Sequence, residues 1–191
     1  MKIGVLALQG AFAEHIAVLH QLKVEALPVR LPRELGGLDG LIIPGGESTT
    51  ISQLMLDYNL ISEMKNLAKN GLPIFGTCAG VILLAEQVSD SYPAPLGIMA
   101  ITVKRNAFGR QKDSFETELS IPVLGKKPFP GIFIRAPVIE PTNSEVEILA
   151  RLADGICVAA RQGKLLASVF HPELTDDLRF HQYFLDIVAG K

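Results

Sequence analysis

Gly76-Thr77-Cys78-Ala79-Gly80 brackets a cysteine with glycines, after the apolar residues 72–75 and ahead of the apolar residues 81–85. A strand, a tight turn and a helix over such a stretch form the nucleophile-elbow pattern, with sulfur in place of oxygen. The chemistry it suits is attack by a thiolate. Gly76, Ala79 and Gly80 let neighbouring backbone approach a strained turn, and a helix N-terminus behind Cys78 favours the anion over the thiol. The Ala79 N–H would then face any oxyanion formed beside the sulfur. A small buried thiol that only fills the core explains the same residues. The second half of a site has to come from elsewhere.

His171-Pro172-Glu173 supplies it, following the apolar Val169-Phe170. Residues two apart in extended chain point the same way, and Pro172 keeps His171 out of helical geometry. A carboxylate so placed orients an imidazole that addresses a thiol, which gives the expectation of a Cys78-His171-Glu173 triad. His15 and His20 in the first helix and His181 in the last are expected in solvated or interface roles. No Cys/His cluster has zinc spacing, and neither a metal nor another cofactor is expected. Cys157, in a strand-like run with no histidine nearby, reads as core filling.

These groups need a frame to meet. Residues 2–8, 24–29 and 41–43 read as strands, and residues 11–22 as a helix with Phe12, Ile16, Leu19 and Leu22 on its apolar face. This order opens a doubly wound parallel α/β sheet, whose ligand crevice lies outside the carboxyl ends of the strands. Pro44-Gly45-Gly46-Glu47-Ser48-Thr49-Thr50 falls at such an end. Its glycines let backbone N–H groups turn to a ligand, Ser48 or Thr49 is expected to cap the next helix, and the Gly46 N–H is a candidate second oxyanion donor. Residues 60–70 read as a helix stopped by Gly71. From Ile98 the strands shorten, and a hairpin joins residues 156–160 to 165–170, so a mixed sheet is expected in the second half. Arg105 and Arg135, each beside a strand end, suit bidentate capture of a carboxylate; Arg110 and Lys112 fit a solvated loop at least as well.

Size and charge narrow the classes. The 191 residues suit one domain, 1–191. The longest apolar runs fall far short of the roughly 20 residues that span a bilayer, so no membrane association is expected. Met1-Lys2-Ile3-Gly4-Val5 enters a strand with no signal architecture, and a cytoplasmic protein is expected. A net charge of -2 without a basic stripe argues against nucleic acid.

Taken together, the elbow, the Pro44-to-Thr50 segment and His171-Pro172-Glu173 resemble the class I, triad-type glutamine amidotransferases. More narrowly, Leu8-Gln9-Gly10-Ala11-Phe12 with Glu14-His15, Arg105-Asn106-Ala107-Phe108-Gly109-Arg110-Gln111, Phe133-Ile134-Arg135-Ala136-Pro137 and Phe170-His171-Pro172-Glu173-Leu174-Thr175 resemble the glutaminase subunit of pyridoxal 5'-phosphate synthase. The likeness runs from Ile3 to the last helix, with Ala107 where that family more often has serine. It implies a three-layer, flavodoxin-like fold and the hydrolysis of L-glutamine to L-glutamate and ammonia. Cys78 would attack the side-chain amide, His171 would move the protons, Glu173 would orient His171, and the Gly46 and Ala79 N–H groups would form the oxyanion hole. The resemblance further implies glutamine binding by Gly46, Glu47, Ser48, Arg105, Ile134 and Arg135. It also implies a synthase subunit that receives the ammonia within a hetero-oligomeric complex, with the first helix and Gln9 as the expected contact. A glutaminase serving another synthase and a non-catalytic glutamine-binding subunit are the competing expectations.

Overall fold

Runs that are apolar on both faces become the middle of the sheet. The computed structural model describes residues 1–89, 94–105 and 114–191. In it β1 (Lys2–Leu6), β3 (Gly40–Ile43) and β4 (Ile74–Thr77) are buried along nearly their whole length. Parallel strands covered on both sides need this composition. The edge strand β2 (Glu25–Val29) is more exposed and tolerates Pro28, because it pairs with β1 alone.

The remaining elements follow in order: α1 (Phe12–Gln21), α2 (Ser48–Asp57), α3 (Leu60–Lys69), α4 (Ala79–Leu84), β5 (Ala85–Val88), β6 (Met99–Lys104), β7 (Ser114–Leu119), β8 (Phe129–Ile134), β9 (Val138–Pro141), β10 (Glu147–Arg151), β11 (Cys157–Gln162), β12 (Leu165–Ser168) and α5 (Arg179–Val188). The large sheet has the order β2-β1-β3-β4-β12-β11-β9-β6-β5, with β10 paired to β11. Its first five strands are mutually parallel, and antiparallel pairing begins between β12 and β11. β7 and β8 form a separate antiparallel pair. The chain is thus a single α/β domain with a mostly parallel first half and an antiparallel extension, as its strand patterns predict.

The elbow helix α4 falls where the apolar residues after Cys78 place it, and at Ala85 the chain goes directly into β5. Two local expectations need correction. β9 and β10 have no counterpart in the sequence reading, since prolines and charges hide their alternation. The apolar stripe of α1 is rotated: His15, Val18 and Leu19 are buried, whereas Phe12, Ile16 and Leu22 are only partly covered. His15 therefore points into the protein, contrary to the solvated or interface role its charge pattern suggested.

Aromatic packing behind β4 holds the sheet and α5 together. Phe75 of β4 meets Phe180 and Phe184 of α5 at 5.6 Å between ring centroids, and Phe170 meets Phe180 edge-on at 5.2 Å. All four are fully buried. Truncating any one to alanine is expected to cost about 3–5 kcal/mol, the usual penalty for an aromatic-sized cavity. These rings lie directly beneath the strands that end at Cys78 and His171, so they fix the floor of the site.

Candidate active site

Parallel register is what brings distant residues together. β4 and β12 are neighbours, with Thr77 opposite Ser168, so the chain leaves both strands on the same edge of the sheet. Cys78 comes one residue after β4 and His171 three after β12. The Cys78 N–H donates to the Ser168 carbonyl at 2.8 Å, and the His171 N–H donates to the Ile132 carbonyl of β8 at 2.8 Å.

Cys78 has φ 48° and ψ -104°. A side-chain-bearing residue is costly there, on the order of 1–3 kcal/mol. The turn is forced by close packing beneath it: a Cβ on Gly80 would lie 2.1 Å from the Ile43 carbonyl oxygen, so α4 approaches β3 as only glycine allows. The strained backbone lifts the thiol to the sheet edge, where its Sγ lies 3.8 Å from the Ile134 carbonyl.

His171 stands between that thiol and a carboxylate. Its Nδ1 is 2.6 Å from Glu173 Oε1, and its other edge lies beside Cys78, whose sulfur interacts with the ring. With Nδ1 taken, Nε2 is the nitrogen left for the sulfur. A Cβ on Gly45 would sit 2.5 Å from His171 Cε1 and 3.2 Å from Cys78 Cβ, so the glycine loop closes over both groups. Burial alone would disfavour the imidazolium. The hydrogen bonds to Cys78 and Glu173, together with the carboxylate charge, outweigh it and raise the His171 pKa to about 10. Glu173 is buried too, but neighbouring His15 and His171 hold its carboxyl below the usual range.

The loop after β3 is tied on two sides. The Gly45 N–H donates to Thr77 Oγ1 at 2.9 Å, and the Gly45 carbonyl accepts from the Ala11 N–H at 3.0 Å. A trans peptide sets N–H opposite C=O, so the Gly46 N–H is turned away from the start of α1. Gln9 Oε1 accepts from the Glu47 N–H at 2.7 Å. Glu47, rather than Ser48 or Thr49, caps α2: its carboxylate accepts from the N–H groups of Thr49 and Thr50 at 3.2 and 2.8 Å and from both threonine hydroxyls. Partial burial opposes ionisation, yet these hydrogen bonds draw the Glu47 pKa down to about 2. A longer side chain reaches past Ser48 to the same donors, which is why the usual serine or threonine cap was expected.

A cleft of about 300 Å³ collects the expected residues. Gly46, Glu47 and Ser48 line it from the loop after β3, Cys78 and Ala79 from the elbow, and His171 from the end of β12. Arg105, Ile134 and Arg135 close the far side. Arg105 approaches Glu47 Oε1 at 3.9 Å, and Arg135 adopts φ 44°, a conformation that turns the chain sharply at the cleft rim. Ala107, Arg110 and Lys112 lie outside the described residues. A larger groove of about 990 Å³ beside β8 and the start of α5 is lined by neither cysteine nor histidine.

The residues that sequence reasoning missed are those behind the carboxylate. His15 is fully buried, with Nε2 3.1 Å from Thr77 Oγ1 and 3.5 Å from Glu173 Oε2, and Nδ1 2.8 Å from His181 Nε2. His181, also fully buried, lies on α5. The available signal was position: His15 and His181 sit at helical spacing with Val18, Leu19, Phe184 and Leu185, all buried.

Comparison with known proteins gives the family and the fold. Residues 5–189 match the SNO glutamine amidotransferase family. The chain is 56% identical to the pyridoxal 5'-phosphate synthase subunit PdxT of Moorella thermoacetica, covering 99% of this chain and all of that one. It is 53% identical to the subunit of the same name from Thermotoga neapolitana, covering 98% of this chain and all of the relative. A solved glutamine amidotransferase superposes with a TM-score of 0.92 at 49% identity, over 99% of this chain and all of that chain. A putative GMP synthase subunit from Thermoplasma acidophilum, 21% identical over this whole chain and 94% of its own, shares the fold with a TM-score of 0.71. With its elbow cysteine, its strand-end histidine and a match over nearly its whole length, the chain belongs to the SNO glutamine amidotransferase family.

Proposed function

We propose that this chain, as one domain over residues 1–191, hydrolyses L-glutamine to L-glutamate and ammonia in the cytosol. It would pass the ammonia to a synthase subunit that makes pyridoxal 5'-phosphate. The observation that carries the reading is the line of contacts from Cys78 through His171 to Glu173 at the mouth of a cleft sized for one amino acid. The name shared by the relatives supports the synthase assignment over other biosynthetic partners.

Cys78 gives its proton to His171, and Sγ attacks the glutamine side-chain carbonyl carbon. The carbonyl π electrons move to oxygen, and the Gly46 and Ala79 N–H groups stabilise the oxyanion. Removing one such donor typically costs on the order of 10²–10³ in rate. His171, held as imidazolium by Glu173, protonates the amide nitrogen; the C–N bond breaks and ammonia leaves a thioester. The now neutral His171 takes a proton from water, hydroxide adds to the thioester, and collapse releases glutamate and restores the thiol. Arg105, Arg135 and the backbone at Ile134 hold the substrate's α-amino acid end, with Glu47 and Ser48 on the opposite wall.

Ammonia freed into water is protonated and no longer nucleophilic, which is the reason for a docked acceptor; the exposed face of α1 is the proposed contact. The test is ammonia and glutamate release from L-glutamine by the purified chain, alone and with a pyridoxal 5'-phosphate synthase subunit. Turnover in either condition is expected, and its absence from both would refute the reading.

A further inference from the structure

Glu173 is hydrogen-bonded on one oxygen and faces a second imidazole with the other. Oε1 is taken by His171 Nδ1 at 2.6 Å, while Oε2, fully buried and with no hydrogen-bond partner among the described residues, faces His15 Nε2 at 3.5 Å. We propose that His15 is a positioning residue for glutamine hydrolysis: it steadies Glu173 from the side opposite His171 and, through the Thr77 hydroxyl, anchors the Gly45-Gly46 loop that faces Cys78. The inference rests on the assignment of Cys78, His171 and Glu173 above and extends it to the layer behind them.

Proton bookkeeping fixes the direction of the contacts. An ionised carboxylate only accepts, so the favourable tautomer of His15 carries its hydrogen on Nε2, which lies 3.1 Å from Thr77 Oγ1 and turns its positive N–H edge toward Glu173 Oε2 at 3.5 Å. Nδ1 is then an acceptor and takes the His181 Nε2–H at 2.8 Å. Burial is the main influence on both rings and pushes both pKa values down, which leaves each neutral with one N–H. The charged or titratable groups acting on His15 are Glu173 and His171 from the segment after β12, His181 from α5 and Glu14 from its own helix.

This line of contacts ends at His181 Nδ1, a buried nitrogen with no hydrogen-bond partner among the described residues. A residue needed only to fill volume beside Phe75 would be apolar and would leave no such orphan. The same helix end that carries His15 also supplies the Ala11 N–H to the Gly45 carbonyl, while Thr77 Oγ1 accepts the Gly45 N–H. One short segment of α1 thereby sets both the carboxylate and the loop.

The test uses the full chain releasing ammonia from L-glutamine, with His15→Gln and His15→Asn beside the wild type. Gln can present a donor where Nε2 stands; Asn is too short. The Asn variant should lose about 10- to 100-fold in kcat, as substitutions behind first-layer ligands often do. Its KM should stay within about twofold, and the basic limb of its pH profile should move to lower pH as His171 loses a firmly held counter-charge. His15→Gln should retain most of the turnover. Wild-type kcat and an unmoved basic limb in His15→Asn would overturn the inference, as would equal losses in both variants with unmoved profiles. A wild type that releases no ammonia would remove the underlying assignment, and the inference with it. ¹⁵N NMR of histidine-labelled wild type needs no variant: a proton on His15 Nε2 is expected, and a proton on Nδ1 overturns the proposal.

Discussion

The two cysteines are both reduced and both buried, yet they stand in opposite chemical situations. Cys157 lies in regular strand geometry in β11, with Sγ 3.6 Å from the Ala159 carbonyl. Burial is the dominant influence on it and pushes its thiol pKa up to about 11, with Arg151 and the backbone only partly opposing this. Cys78 occupies a strained positive-φ turn with an imidazole against it and a cleft in front. Residue type and burial are shared. What separates a packing thiol from a candidate nucleophile is backbone conformation and one hydrogen-bonding partner.

The sharpest way to break that comparison is to delete each sulfur in turn. Cys78→Ala should abolish ammonia release, by on the order of 10⁶-fold if it behaves as nucleophile loss does in other acyl-transfer enzymes. Cys157→Ala should keep wild-type turnover. Ammonia release measured for both variants, each checked for cooperative thermal unfolding, decides the matter. Comparable activity in the two would erase the distinction.

That distinction was only partly legible in the sequence. Cys78 announced itself through flanking glycines, and His171 through a strand end followed by Pro172 and Glu173, because these devices are local and leave local marks. Glu47 as the cap of α2 was not visible, since a glutamate reaches its donors by a side-chain route that serine and threonine do not need. β9 and β10 were hidden because short strands in a mixed sheet are defined by partners far away in sequence. His15 was misplaced for a related reason. A histidine on a helix counts as polar in any periodic pattern, and only the three-dimensional proximity of Glu173 and His181 explains its burial. Contacts within a turn can be read from residue order, whereas contacts between layers depend on how the sheet twists and which helix covers it.

A subtler separation of the two thiols comes from pH. His171 has a folded-state pKa near 10, above the value of about 6.5 of an unfolded histidine. Its contribution is therefore complete below about pH 6.5, where both states are protonated, and is lost as pH rises toward 10. His15 and His181 have the opposite sign: their lowered pKa values mean that stability falls as pH drops below 6.5. Urea unfolding across pH 5 to 10 should thus show stability declining on both sides of a maximum. Cys78→Ala removes one of the groups that raises the His171 pKa, so its alkaline decline should start near the same pH but end at lower pH and amount to a smaller total loss. Cys157→Ala should trace the wild-type shape up to about pH 9 and decline less steeply above it, because the wild-type thiol, held at about 11 in the fold, ionises more readily once exposed. An alkaline limb indifferent to Cys78 would mean that the imidazole does not sense the sulfur.

The smallest effect isolates the backbone from the sulfur. At φ 48° and ψ -104° a Cβ is strained and a bare glycine is not. Cys78→Gly should therefore be more stable than Cys78→Ala by about 1 kcal/mol, although glycine elsewhere usually loses about 0.4–1 kcal/mol to alanine through unfolded-state entropy. At Cys157, in an extended strand, the order should reverse, with Cys157→Ala the more stable of its pair. Both differences are readable from denaturation midpoints at neutral pH. Reversal at one site and not the other would show that the elbow, and not burial in general, holds Cys78 in a conformation the fold maintains at a cost. The same order at both sites would mean that the turn carries no strain for the sulfur to exploit.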